Sequence, residues 1–358
     1  MRGNDQREKI KVAVIGCGTI ANSAHIPSYL KCEEAEIKYF CDIIPERATA
    51  AVEKYGCGIA ITDYRDALND PEVTAVSVCT PNYAHKEISV AALAAGKSVL
   101  CEKPAARTLA EAEEMLEAQK KYGKILNIGV VNRFNDNVRE IKKIIDAGTL
   151  GDIYHVYVSF RAHRSIPGLG GAFTTKEIAG GGALIDWGVH FLDLVLYALG
   201  GAKLKNVTCD AYCEMAKDMK SYKYTGMWAE DTKDIENGTN DVDDFISGYV
   251  RTDKASISFT GAWAQNVGVN EMYIDFLGDK KGIRLNYGGH FTEWSGETLE
   301  ATVDETEIPN MYLCEDRAFI KSVTSGVKDK NNIENILESA KLLDYLYRSS
   351  EKKGEIAF

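Results

Sequence analysis

Asp186 and His190 stand four residues apart in the stretch from Gly180 to Asp193, which reads Gly-Gly-Gly-Ala-Leu-Ile-Asp-Trp-Gly-Val-His-Phe-Leu-Asp. Residues four apart share one face of a helix, and Leu184, Ile185, Val189, Phe191 and Leu192 suit a buried helix here. A carboxylate beside an imidazole fixes its tautomer and raises the basicity of the other nitrogen. That is the supporting arrangement of a general base, with Asp193 one turn further along. The local pattern by itself favours a helix-end acid bonded to a core histidine, so the rest of the chain must decide.

A second constellation lies near the start. Lys11 to Ile15 reads as an apolar strand, followed by Gly16-Cys17-Gly18-Thr19-Ile20-Ala21 and a helix to about Leu30. Two glycines permit a tight turn and close approach to a pyrophosphate, Ala21 lets the helix pack on the strand, and the helix start offers free amides to phosphates. The next strand, Ile37 to Cys41, ends in Asp42, where an acid can bond the adenosine ribose hydroxyls. Ile43, Ile44 and Pro45 bring no cation for a 2′-phosphate, which favours NAD over NADP, although Arg47 can reach back toward the cofactor.

These groups must be held by elements. Strands over 73–79, 98–101 and 125–130 alternate with helices over 85–95 and 108–122, which predicts a parallel sheet covered on both faces. Thr80-Pro81-Asn82 with His85, and Glu102-Lys103-Pro104, fall at strand ends, where open parallel sheets bind ligands. After about residue 130 the pattern changes. A helix over 137–147 precedes strands over 153–160, 204–213, 245–250, 255–263 and 272–277, and a final helix covers 333–348. Ile257, Phe259 and Trp263 share one strand face, so a largely antiparallel open sheet under helices is expected. Residues 214–241 lack periodicity and read as a long loop. The reading is therefore two α/β domains, 1–128 for nucleotide binding and 129–358 for substrate binding and oligomerisation.

The 358 residues carry a formal charge of -11, which argues against nucleic acid or an anionic membrane as partner. No signal-like apolar stretch follows the polar start, and no run is read as long enough to span a bilayer. The nine cysteines include no Cys-x-x-Cys pair, so packed, reduced thiols in a cytoplasmic protein are expected, with no disulfide frame and no metal site.

Taken together, Gly16-x-Gly18-x-x-Ala21, Thr80-Pro81-Asn82 with His85, Glu102-Lys103-Pro104 and Asp186-x-x-x-His190 resemble the glucose–fructose oxidoreductase / inositol dehydrogenase (Gfo/Idh/MocA) family over nearly the whole chain. The resemblance implies a Rossmann doubly wound domain, then an α/β domain, with NAD or NADP as cofactor. It makes Lys103, Asp186 and His190 the catalytic trio, places Asn82, His85 and Glu102 near the cofactor, and implies a cis Lys103–Pro104 peptide. The cofactor set is then Gly16, Gly18, Thr19, Ile20, Asp42, Arg47, Thr80, Pro81, Asn82, His85, Glu102 and Lys103. Histidine titrates near pH ~6.5 and lysine near ~10.4, so His190 is read as the base, oriented by Asp186, and Lys103 as the ammonium that stabilises alkoxide. A lysine lowered by burial could exchange roles with His190.

Lys103, Asp186, Trp187 and His190 are expected to meet the substrate. Trp187 and the loop aromatics Tyr222, Tyr224 and Trp228 suit a pyranose or an aromatic aglycone. The resemblance, whose members acting on pyranoses include enzymes that oxidise the ring 3-hydroxyl, then makes NAD-dependent oxidation of a glucoside 3-hydroxyl the leading expectation. The alternatives are a cyclitol dehydrogenase, a redox-neutral NAD-requiring glycosidase, or a nucleotide-binding regulator without chemistry. Apolar and small residues on both sides of the 153–160 strand imply a homo-oligomer built on the second sheet.

Overall fold

The computed structural model describes residues 8–358, the side chain of Asp231 excepted. The described residues form two compact units, one running to Ala106 and taking in 110–131 and 310–336, the other of 107–109, 132–309 and 337–358.

In the first unit, β1 (Ile10–Ile15), β2 (Ala35–Cys41), β3 (Ile59–Ile61), β4 (Val73–Val78), β5 (Ser98–Glu102) and β6 (Leu126–Gly129) form one parallel sheet. The strand order is β3-β2-β1-β4-β5-β6. Order reverses between β1 and β4, and the crevice at such a switch point is where nucleotides bind. Both central strands are buried on both faces, as a sheet covered by helices requires. Residues 310–336, which the sequence reading left in the second domain, return to this unit. Their helix Met311–Ser325 packs on the segment after β1, and Asn331 continues the sheet edge, with Ile128 N–H donating to its carbonyl at 2.9 Å.

The second unit holds a nine-stranded sheet in the order β14-β13-β12-β11-β7-β10-β9-β8-β15. The strands are β7 (Ile153–Arg161), β8 (Leu204–Tyr212), β9 (Phe245–Thr252), β10 (Ser256–Ala262), β11 (Glu271–Gly278), β12 (Lys281–Asn286), β13 (Phe291–Ser295), β14 (Ala301–Asp304) and β15 (Ile356–Ala357). All neighbours are antiparallel except β7 and β10. Val156, Val158, Phe160, Ile257 and Phe259 face a core shared with helix Val189–Ala198, which is apolar nearly all round and buried accordingly. The final helix begins at Leu337, later than expected, because Ile333–Asn335 forms a separate short turn in the first unit. The stretch Lys176–Ala198 is long and apolar enough to cross a membrane by composition, contrary to the sequence expectation, but 78% of its apolar window is buried, as in a core helix.

The 214–241 segment is a loop, most of it exposed, with a few residues turned into a core. Tyr222 and Ala216 are buried in a smaller core with Ile166, Leu169, Val242 and Trp263, flanked by Met215, Met219, Met227 and Trp187. Trp263 therefore leaves the sheet at the end of β10 and belongs to this second core, away from Ile257 and Phe259.

Candidate active site

In the first unit the switch point is built around Gly16. Its φ of +92° suits glycine, and a Cβ there would lie 2.6 Å from the Cys79 carbonyl oxygen, so no other residue fits. A Cβ on Gly18 would meet open space, the approach a diphosphate needs. Asp42, at the end of β2, accepts from the backbone amides of Cys17 and Ile44, both at 2.9 Å, so its carboxylate is fixed against the glycine turn. Thr80 Oγ1 is buried beside this turn and has no protein partner. The donor set fits a dinucleotide: the amides of the glycine turn, Thr19 and Ile20 would hold the diphosphate, and Asp42 the ribose. Arg47 is exposed on the first turn of helix Pro45–Tyr55, and Pro81 is exposed at the strand end.

Not every residue of the expected cofactor set presents polar atoms outward. His85 is fully buried, with ring nitrogens 2.8 Å from the Pro104 carbonyl and 2.9 Å from that of Thr80. It braces the ends of β4 and β5 against each other. Glu102 is also buried, one oxygen 2.8 Å from His25 Nε2 and the other accepting Lys103 N–H at 3.0 Å. Both hold the corner on which the half-buried Lys103 stands, with the Lys103–Pro104 peptide cis as the resemblance implied. Asn82 is half-buried and opens the turn leading into helix His85–Ala94.

In the second unit the glycine run is a tight joint. A Cβ on Gly182 would lie 1.9 Å from the Asp243 carbonyl oxygen. Asp243 in turn caps the helix start, accepting from Gly182 N at 2.7 Å and Leu184 N at 2.9 Å, with Tyr347 Oη donating at 2.8 Å. Burial pushes the Asp243 carboxyl up, and these donors resist the shift. The helix opens as a π-turn over Leu184–Gly188, carrying Asp186, and tightens to α-helix over Val189–Ala198, carrying His190. Such π-turns recur at functional sites.

The partner that the sequence reading missed at His190 is Asn132, whose Nδ2 lies 3.1 Å from His190 Nδ1 and 2.9 Å from Tyr287 Oη. Tyr287 stacks on Phe191 at 4.3 Å, and burial, aided by the charge of Asp186, holds its hydroxyl up at about 12, so it stays protonated. Asn132, Tyr287 and His190 thus form one polar cluster at the helix start, with the charge of Asp186 felt at Tyr287. Asp193 is not part of it. It is buried in a two-pronged pair with Arg133, at 2.8 and 2.7 Å, and accepts from Ser339 Oγ at 2.6 Å, which anchors the helix.

Trp187, next to Asp186, is half-buried and packs against both cores of the unit. The loop aromatics divide. Tyr222 is a core residue with the Arg164 guanidinium 5.4 Å from its ring, whereas Tyr224 and Trp228 are 44% and 41% exposed.

Comparison with known proteins identifies the family. Residues 10–130 match the model of the oxidoreductase family with an NAD-binding Rossmann fold, and residues 138–284 match the GFO/IDH/MocA C-terminal domain. The chain is 32% identical over 343 residues to a D-glucoside 3-dehydrogenase of Escherichia coli (strain K12), covering 96% of this chain and 95% of that one. An inositol 2-dehydrogenase of Salmonella typhimurium is 37% identical over 145 residues, 40% of this chain and 43% of its own. Among solved structures, a levoglucosan dehydrogenase in complex with NADH and levoglucosan superposes with a TM-score of 0.84 at 22% identity, covering 98% of this chain and 99% of the other, a likeness of fold. With the glycine turn, the strand-end motifs and the Asp186–His190 helix in these positions, the chain belongs to the Gfo/Idh/MocA family of NAD-dependent oxidoreductases.

Proposed function

We propose that this enzyme oxidises the 3-hydroxyl of a glucoside to the ketone. The observation that carries the substrate is the end-to-end similarity to a D-glucoside 3-dehydrogenase, against a match over 40% of this chain for the inositol enzyme. Bound NAD supplies the acceptor for the hydride leaving carbon 3.

The chain's own residues manage the proton. Asn132 holds His190 at Nδ1, and Nε2 is read as the atom that exchanges a proton with substrate. With the amide nitrogen toward the ring, Nδ1 accepts and a neutral His190 carries its proton on Nε2, where it can donate a hydrogen bond but cannot take a proton. With the amide turned over, its oxygen accepts from Nδ1–H and from Tyr287, and Nε2 becomes a bare base for the alcohol. Asp186 favours the imidazolium that forms, and Lys103 hydrogen-bonds the developing alkoxide. The hydroxyl proton passes to His190, the carbon gives up a hydride, and a ketone remains. Trp187 offers a flat face to the pyranose ring, with Tyr224 and Trp228 next in reach of an aglycone.

A cyclitol is the second reading, favoured by the 37% identity to inositol 2-dehydrogenase over the aligned part. The test is incubation with NAD and a panel of glucosides, free sugars and inositols. A keto-glucoside with matching NADH is expected. A cyclitol ketone, aglycone release without net NADH, or no turnover would each replace the proposal.

We also propose a homo-oligomer built on the open face of the second sheet. Tyr157, 48% exposed, stands there with His155, Tyr249 and Tyr273 among serines and the paired charges Arg161–Glu271 and Arg284–Asp275, a face rich in rings. A monomer by light scattering at micromolar concentration would refute this. The nine thiols, none in a disulfide, fit a reducing cytoplasm. Fewer than nine titratable thiols in unfolded protein purified without reductant would contradict that placement.

A further inference from the structure

His25, inside the first unit, has no part in the chemistry above. His25 is fully buried between two carboxylates, Nε2 2.8 Å from Glu102 Oε1 and Nδ1 2.9 Å from Asp316 Oδ1. Glu102 immediately precedes Lys103 and spends its other oxygen on the Lys103 backbone N–H, 3.0 Å away. Asp316 arrives from the far end of the chain, on the helix Met311–Ser325 that returns to this unit. A neutral imidazole donates from one nitrogen only, so two facing carboxylates are both satisfied only by the imidazolium. Burial disfavours that cation, but the charge of Asp316 and the bonds to Asp316 and Glu102 outweigh it, and His25 is held well above its ordinary range. Glu102 is correspondingly held below its own, again against burial.

We propose that His25 is a positioning residue for Lys103. It clamps Glu102 against Asp316, and Glu102 fixes the backbone from which the Lys103 ammonium is presented. A buried ion triad gains little stability over apolar packing of the same volume, so stability alone is a weak reason to have one here. Geometry is a better reason. Glu102 has three rotatable side-chain bonds, and engaging both carboxylate oxygens holds it in one arrangement. Misplacing a reacting group by about 1 Å can cost roughly a hundredfold in rate. The inference rests on the reading of Lys103 as the group that meets the reacting oxygen.

The test compares His25→Ala, Glu102→Ala, Glu102→Gln and Lys103→Met, with NAD and methyl glucoside as probes. Measured are kcat, KM, the NAD dissociation constant by fluorescence, and thermal unfolding. In Glu102→Gln the amide oxygen still accepts Lys103 N–H, and the amide nitrogen can donate to Nε2 of a neutral His25 whose Nδ1–H stays on Asp316. The two alanine variants are expected to lose kcat by roughly tenfold to a hundredfold, with KM and NAD affinity within about threefold. Glu102→Gln is expected to recover at least about tenfold of that loss. Should the alanine variants not fold, Asp316→Asn, which keeps one acceptor oxygen and the volume, is expected to lower kcat by about threefold to tenfold. The proposal is overturned if Glu102→Gln falls as far as Glu102→Ala, or if the loss sits in NAD binding or KM. If Lys103→Met itself keeps its turnover, the reading of Lys103 fails first and the positioning role with it.

Discussion

Asp244 offers a stability measurement whose sign and size follow from the structure. It is 1% exposed, its Oδ2 accepts from Met215 N at 2.6 Å where the 214–241 loop begins, and its carbonyl accepts from Trp263 N. Burial is the main cause that pushes its carboxyl from the usual 3.8 to about 7, aided by the charges of Asp243 and Glu214 and resisted by the amides of Met215 and Glu214. Between about pH 4 and 7 the folded protein therefore keeps a proton that the unfolded chain has lost. This contribution to stability is fully present below the unfolded value and is lost as pH rises through the folded one. At about 1.4 kcal/mol per pH unit, the span is worth roughly 4 kcal/mol. Asp244→Asn keeps an acceptor oxygen and removes the titration. Its unfolding free energy relative to the parent should therefore rise by up to about 4 kcal/mol from pH 4 to pH 8, while constant effects of the substitution cancel. All four tryptophans lie in the second unit, so urea unfolding followed by tryptophan fluorescence reads that unit alone. A gap that stays within about 1 kcal/mol across this range, or that narrows, refutes the reasoning.

Lys103→Met and His190→Ala should each lower turnover by roughly a hundredfold or more while NAD affinity stays nearly unchanged, and a variant keeping most of its turnover would end that assignment. Gly182→Ala should cost about 3 kcal/mol or more, because the added methyl would meet the backbone of Asp243; a urea midpoint like the parent's would contradict the tight joint. NAD should bind at least about tenfold more tightly than NADP, because Asp42 repels a 2′-phosphate, and Asp42→Ala should narrow the gap. Equal or tighter binding of NADP by the parent, with Arg47 turned to the phosphate, would show the opposite.

What could be read from the sequence is what local geometry dictates. Gly16, Gly18 and Asp42 belong to one strand–turn–helix–strand unit whose steric demands restrict residue type position by position. Asp186 and His190 are visible because a helix places residues four apart on one face. Asn132, Tyr287 and Asp243 carry no such mark. They reach the same helix start from separate elements, and only the folded sheet brings them there. The return of residues 310–336 to the first unit is invisible for the same reason, since Asp316 and Asn331 find their partners through tertiary packing. Strands β13 and β14, which alternation failed to reveal, are short, and most of their residues are not buried, so the apolar signal is weak. The loop hid its core because Ala216, Tyr222 and Ile235 pack without a repeating period.

A glucoside deuterated at carbon 3 tests the central reading most directly. Turned over with NAD, it should yield reduced cofactor carrying the deuterium and a sugar that has lost it. A primary isotope effect on the turnover rate should appear if hydride transfer is rate-limiting. Turnover that leaves the label in the sugar would contradict oxidation at that carbon and the substrate proposed for this enzyme.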